Sequence, residues 1–301
     1  MEYDVKLSVT GTYKGREMLF VMELTGEDYI CKKAINLGKG DKGAIHSIIN
    51  YESSVYLADS YNNKIYKYDF DLNELSEATV GRDPRHMCID EENMCMYVAN
   101  FESDNVSVID MSAFTMIESI PAGIKPHDVL FNKNNSRLYT CCYEENEIIE
   151  YLDSREKNRQ FTSDGKPMHM LIWEDSLIIM TYYVNGNVHT KINFINLESG
   201  NIEDVIVLDG LSSDFDINNI NKMLYLINIV DKSLYIIDIE KRKTAKTVFL
   251  GGYPESLAVG EKYVYVTNSK KNRICAIDID KMVVSRYVDL GFSPSCIKII
   301  N

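Results

Sequence analysis

The chain has 301 residues, a formal net charge of -13 and 45% hydrophobic residues, enough apolar material for a large core. The acidic excess repels phosphate backbones, so we expect no nucleic-acid partner. The start of the chain lacks a secretory signal and no apolar run approaches the roughly 18 residues of a membrane span, which predicts a cytoplasmic protein with no membrane partner.

The N-terminal segment contains three runs of β-forming residues, at about 5–10, 17–23 and 29–37. Four such strands would complete a repeat of the kind found further along the chain, so one strand is missing here. The last segment, 294–300, is a single strand with no successor. We expect it to pair with the N-terminal strands and close a ring, because closure removes exposed strand edges.

Between these ends, a turn containing glycine is followed by an apolar strand in every repeat, at spacings of 40 to 45 residues. A period of this size is typical of β-propeller blades. Each period also holds short β-branched and aromatic runs separated by turn residues, without helical periodicity. The glycines are Gly38, Gly81, Gly123, Gly165, Gly210, Gly251 and Gly291.

The repeats predict an all-β fold, a seven-bladed β-propeller with four-stranded blades in one domain covering 1–301. The predicted blades are 3–38 with the inner strand 294–300, then 45–81, 85–123, 127–165, 168–210, 213–251 and 254–291.

One strand of each repeat carries a family resemblance. Tyr265-Val266-Thr267-Asn268 resembles the signature of the YVTN-repeat β-propellers, and Tyr97-Val98-Ala99-Asn100 is a close variant. The resemblance covers nearly the whole chain and implies the propeller architecture. It implies little about activity, because propellers host many functions.

Polar residues occupy the start of the inner strand in each repeat, beside the predicted central channel. Aligning the seven turns brings together His46, His86, Asp128, His169, Asp214, Ser256 and Cys296. His127 lies one place earlier, so four of the five histidines fall in one region. Imidazoles with a carboxylate suit a divalent transition metal such as zinc, manganese, iron or copper. We expect His46, His86, Asp128 and His169 to be the ligands; the alternative is a hydrogen-bonded polar ring without metal.

His127 is the candidate catalytic base, since a histidine beside a metal can move a proton near neutrality. Pro126-His127 followed by an apolar strand resembles the streptogramin-lyase type of propeller, which implies metal-dependent cleavage of a cyclic ester; Asp128 departs from the glycine usual there. Lys125-Pro126-His127-Asp128 also resembles a copper-ligand stretch of nitrous oxide reductases. Too few histidines are present for that copper cluster.

Loops expected at the same channel mouth carry aromatic and acidic side chains that would suit a small organic ligand or a peptide. The candidate ligand-binding residues are Tyr61, Phe101, Glu102, Tyr143, Glu144 and Tyr182. Ordinary packing of loop tyrosines over the blade edges is the alternative interpretation.

Two functional hypotheses follow. In the first, the channel mouth binds a metal ion and a small molecule, and a lyase or hydrolase acts there on a cyclic ester. In the second, the protein is a non-catalytic propeller whose aromatic and acidic rim holds a protein or peptide partner. Seven cysteines, including the adjacent Cys141 and Cys142, predict reduced thiols in either case.

Overall fold

The computed structural model describes residues 5–26, 28–37, 45–152 and 156–300, and the start of the chain, the turn at Gly38 and the boundary of the first predicted blade there lie outside these ranges. The described residues form seven four-stranded antiparallel sheets. The fold is a seven-bladed β-propeller, as the repeats predict.

Blades 1 to 4 contain the following strands. Blade 1 has β1 (Val5–Tyr13), β2 (Arg16–Thr25), β3 (Asp28–Asn36) and the C-terminal strand; blade 2 has β4 (Ile45–Tyr51), β5 (Ser54–Asp59), β6 (Lys64–Asp69) and β7 (Glu74–Thr79); blade 3 has β8 (Pro84–Asp90), β9 (Cys95–Asn100), β10 (Asn105–Asp110) and β11 (Thr115–Pro121); blade 4 has β12 (Pro126–Asn132), β13 (Arg137–Cys142), β14 (Glu147–Leu152) and β15 (Glu156–Thr162).

The remaining strands complete the ring. Blade 5 has β16 (Lys166–Trp173), β17 (Ser176–Asn185), β18 (Asn187–Asn196) and β19 (Ile202–Asp209); blade 6 has β20 (Ser212–Asn218), β21 (Met223–Asn228), β22 (Ser233–Asp238) and β23 (Lys243–Phe249); blade 7 has β24 (Pro254–Val259), β25 (Tyr263–Asn268), a 3-10 turn at Ser269–Lys271, β26 (Arg273–Asp278) and β27 (Val283–Asp289); the C-terminal strand is β28 (Ser293–Ile300).

Ring closure occurs in blade 1, where β28 pairs antiparallel with β1 in the order β28-β1-β2-β3. The predicted union of the chain ends is therefore confirmed. The first strands of successive blades, β4, β8, β12, β16, β20 and β24, contact one another in order, and β28 contacts both β24 and β4. These seven strands surround the central channel.

The hydrophobic core lies between the blades. Seven clusters of buried side chains each join two neighbouring blades. Cys141 packs in the cluster between blades 4 and 5, and Cys142 in the cluster between blades 3 and 4. The two side chains thus point to opposite faces of β13, as strand alternation requires.

At four of the recurring glycines the turn lies close against the end of the second strand of the blade that follows it, and in blade 7 the neighbouring Gly252 does the same; the four are Gly81, Gly123, Gly165 and Gly210. A Cβ atom on Gly81 would lie 2.7 Å from Asn100, and one on Gly252 would lie 2.2 Å from Asn268 Oδ1. The Asn268 amide also donates to the Gly251 carbonyl and accepts from Tyr253 N–H. This contact fixes the turn that leads into the inner strand.

Candidate metal centre

A β-bulge near the start of each inner strand sets the direction of the channel side chains. The pairing of β12 with β13 skips His127, and the pairing of β4 with β5 skips His46. In β16 the skipped residue is Met168, so His169 comes one place later. A bulged residue is released from the ladder and its side chain is re-aimed.

This register differs from the alignment of the turns in the sequence. His46 occupies the position of His127 in its blade, not that of Asp128 as the alignment of the turns predicts. His169 occupies the position of Asp128, as the alignment predicts. The difference arises because Ile45 takes the place that proline holds in the other two strands, so the turn before His46 has no proline to mark its position.

Four histidines converge at this level of the channel. The ring centroids of His46, His86 and His127 are 5.0, 5.3 and 5.4 Å apart. His169 stacks edge-on against His86 at 4.4 Å and against His127 at 5.2 Å. The clustering predicted from the sequence is therefore present in the structure.

Three of these side chains, His46, His86 and His127, form a set that could hold one ion, and we call them the histidine triad. One nitrogen from each lies within 4.8 Å of the others. Three imidazoles that share a tetrahedral zinc through bonds of about 2 Å have nitrogens about 3.4 Å apart and ring centroids about 5 Å apart. The spacing of the rings matches, and the nitrogens, which lie within 4.8 Å of one another, would have to approach further by ring rotation to share one ion.

Two ring nitrogens of the triad lack hydrogen-bond partners among the described residues. His127 Nδ1 lies 2.8 Å from the Met168 carbonyl oxygen, so this nitrogen carries the proton and donates. His127 Nε2 and His86 Nε2 are buried without a hydrogen-bond partner among the residues the structure describes. A backbone carbonyl that fixes the tautomer in this way is typical of metal-binding histidines.

The triad is uncharged at neutral pH. Burial, together with the charges of Arg85 and His169, lowers the pKa of His46 to about 3. Burial and the neighbouring histidines hold the pKa values of His86 and His127 well below their usual value. Because a metal binds the unprotonated imidazole, no proton has to be displaced first.

Asp128, a ligand predicted from the sequence, has a different set of contacts. Its Oδ1 accepts from Val129 N–H at 2.8 Å, and its Oδ2 accepts from Met170 N–H of the next blade at 2.9 Å. Burial raises the pKa of this carboxyl to about 7. The side chain therefore bridges blades 4 and 5, and the structure does not place it with the triad.

His169, the other predicted ligand outside the triad, lies next to this bridge. Its Nδ1 is 3.9 Å from Asp128 Oδ2. Burial lowers the pKa of His169, while a hydrogen bond to the backbone of Ser213 acts in the opposite direction. His169 thus supports the triad rings from the side of blade 5.

The predicted rim residues form one cluster with two exceptions. Phe101 lies 5.9 Å from both His127 and Tyr143. Arg85 covers the Phe101 ring at 4.2 Å, and Lys166 covers the Tyr143 ring at 4.5 Å. The aromatic faces are therefore occupied by cations of the same chain.

The acidic rim residues are also paired within the chain. Glu144 accepts from Lys166 at 2.8 Å, and Lys125 lies 3.9 Å from both Glu102 and Glu144. Tyr182 lines the channel cavity and donates a hydrogen bond to the Ser212 carbonyl. Tyr61 is 60% exposed and lies outside the residues that line this cavity.

The triad opens into a channel cavity of about 570 Å³, which also contains Arg85 and Lys298. Neither cation was among the residues singled out from the sequence. Lys298 lies two residues after Cys296, so strand alternation from that channel position could have revealed it. A larger cavity of about 820 Å³ at the far ends of the inner strands contains Trp173 and none of the histidines.

Comparison with solved structures supports the fold. The chain resembles hydrazine synthase from Kuenenia stuttgartiensis at 18% identity, covering 81% of this chain and 85% of that chain with a TM-score of 0.72. It resembles apo AztD from Citrobacter koseri at 13% identity, 98% and 97% coverage and a TM-score of 0.67. It also resembles a candidate 6-phosphogluconolactonase from Bacteroides fragilis at 13% identity, covering 99% of each chain with a TM-score of 0.74.

Identities this low establish a shared fold alone. No protein-family model matches the chain, and no curated protein sequence matches it. No helix in the described part of the chain has the length and apolar character needed to cross a bilayer.

Proposed function

We propose that the histidine triad binds one divalent transition-metal ion in the channel mouth, where the ion faces a small molecule in the adjoining cavity. The convergence of three imidazoles, with two buried Nε2 atoms lacking partners, carries this proposal. An unpaired buried nitrogen costs free energy, and a metal ion would satisfy it.

Zinc is the preferred ion. An all-nitrogen set suits zinc, copper or iron better than manganese, which favours oxygen ligands. Three histidines also leave one coordination position for water or a ligand. The carboxylate oxygens of Asp128 are engaged by backbone N–H groups, which supports a triad without it.

His127 fits the role of a ligand better than that of a proton carrier. Its Nδ1 proton is held by the Met168 carbonyl, and burial disfavours a second proton on the ring. Cleavage of a cyclic ester at this site stays a prediction, to be tested by offering lactones to the zinc-loaded protein. The paired charges and covered rings of the rim favour a small ligand over a protein partner.

We place the protein in a reducing compartment. All seven cysteines are free thiols, and most are buried in or beside the blade interfaces. Free thiols persist where glutathione keeps them reduced. This supports a cytoplasmic location.

The test is metal analysis of protein without a histidine tag, stripped with chelator and dialysed against zinc. We expect about one equivalent of zinc in the wild type, as a single three-histidine site requires. The double variant His86→Ala, His127→Ala should lose it. His189→Ala, which removes the fifth histidine on β18 outside the triad, should retain it.

Two outcomes would refute the metal site. One is zinc far below one equivalent in the wild type, with copper and ferrous iron also failing to bind. The other is equal zinc in the wild type and in the double variant, provided that circular dichroism shows both to be folded.

A further inference from the structure

The channel cavity also contains a lysine side chain with no direct acceptor. Lys298 lies on β28, the strand that closes the ring, and lines the same cavity as the histidine triad. Among the residues the structure describes, its ammonium makes no hydrogen bond or ion pair. An ammonium group has three hydrogen-bond donors, and a carboxylate accepts them in stronger, charge-assisted hydrogen bonds than a neutral acceptor does.

The acidic side chains that attract Lys298 most strongly, Asp214 and Asp216, already accept hydrogen bonds, mostly from backbone N–H groups. Asp214 accepts from Phe215 N–H, and also from Ser256 Oγ and Leu257 N–H of the next blade. Asp216 Oδ1 accepts from Ile217 N–H at 2.8 Å. These carboxylates attract Lys298 through space but do not meet its donors.

Lys298 lies within electrostatic range of the histidines. Its positive charge lowers the pKa values of both His86 and His169. The Lys298 ammonium and the histidine triad therefore face the same cavity, and one small molecule could contact both. The cavity, at about 570 Å³, is large enough for a small organic molecule.

We propose that Lys298 anchors the carboxylate of a small organic acid whose body extends towards the histidine triad. The carboxylate would give the ammonium the acceptor it lacks. Apolar walls at Leu130, Leu171 and Phe215 suit a hydrocarbon or ring. A singly charged acid fits better than a doubly charged phosphate, because Asp214 and Asp216 lie nearby and repel anions.

This inference deepens the proposed function and rests on it only for the metal side of the cavity. Calorimetric titrations with benzoate, benzamide and inorganic phosphate, on metal-free and zinc-loaded protein, separate the two. Benzoate and benzamide share shape and differ in charge. Metal-free protein tests the anchor without the ion, and the Lys298→Met variant distinguishes Lys298 from Arg85, the other cation of this cavity.

We expect benzoate to bind metal-free protein about tenfold or more tightly than benzamide, as a charge-assisted hydrogen bond predicts. Lys298→Met should abolish this difference. Lys246→Met, which removes a lysine from the exposed face of β23, should preserve it. Zinc should strengthen benzoate binding further if the ion faces the same cavity.

Several results would overturn the inference. They are no benzoate binding at millimolar concentration, equal binding of benzoate and benzamide to the wild type, or unchanged benzoate affinity in Lys298→Met. Phosphate binding more tightly than benzoate would refute the choice of a carboxylate. If Lys298→Met does not fold, Lys298→Gln and Arg85→Gln take its place: loss of the preference for benzoate in Lys298→Gln supports the anchor, and loss only in Arg85→Gln overturns it. A protein that binds benzoate but no zinc refutes the metal site and keeps the anchor.

Discussion

Replacing His46 by asparagine should make the protein less sensitive to acid. His46 is neutral in the native channel, where burial lowers its pKa from the ordinary 6.5 of histidine to about 3. As the pH falls below 6.5, the unfolded chain takes up a proton at this position and the native state does not. Stability is therefore lost progressively down to the native pKa.

The size of the effect follows from these two pKa values. Between pH 7 and pH 4.5 the wild type should lose about 2.5 kcal/mol of unfolding free energy that His46→Asn does not lose, because the loss runs at about 1.4 kcal/mol per pH unit below the unfolded pKa. His86, His127 and His169 act in the same direction, while Asp128, with its pKa raised to about 7, acts in the opposite one. Because these groups remain in both proteins and their pKa shifts come mainly from burial, their contributions largely cancel from the difference.

The assay is urea unfolding in the presence of chelator at pH 7, 5.5 and 4.5, followed by circular dichroism and by the fluorescence of Trp173. The control is Ser60→Ala, which removes the hydrogen bond from Ser60 Oγ to the Pro84 carbonyl but no titrating group. Its cost should not vary with pH. If the free-energy gap between the wild type and His46→Asn also stays constant, His46 is protonated in the native state and the channel mouth is wetter than its burial indicates.

Two further predictions concern the ring. Asp128→Ala should retain about one equivalent of zinc in metal analysis. In urea unfolding it should lose about 1 to 3 kcal/mol of stability, because Met170 N–H loses its acceptor. Loss of zinc from the folded variant would show that Asp128 is a ligand. Ile297→Ala, on the fully buried side of β28, should cost about 2 to 5 kcal/mol. Val283→Ala, which is 44% exposed on β27, should cost under about 0.5 kcal/mol. Equal losses in the two variants would show that closure by β28 contributes little.

The ring and its closure could be predicted from the sequence because the relevant signals are local and repeated. Glycine recurs where a turn approaches the end of the second strand, as at Gly81 and Asn100. A strand without a successor at one end and a blade short of one strand at the other imply pairing between the ends. These signals depend on short-range sterics and backbone hydrogen bonding, which the residue types themselves determine.

The clustering of histidines was also predictable, since the inner strands must meet around one axis. Which histidines form the triad was not. His127 belongs to the triad because a bulge turns its side chain towards the channel. Asp128 does not, because its carboxylate accepts a hydrogen bond from Met170 N–H of the next blade. Bulge placement depends on pairing with the neighbouring strand, which a single strand's sequence does not specify.

The charge state of the channel was likewise decided by the tertiary structure. Burial, rather than residue type, holds His46 neutral, and the same burial leaves Lys298 facing the cavity without an acceptor among the described residues. The sequence by itself determined a seven-bladed ring with histidines at its channel mouth. Only the packing of seven blades around one axis decided which nitrogens and charges meet there, because desolvation and distance between remote strands exist only in the folded protein.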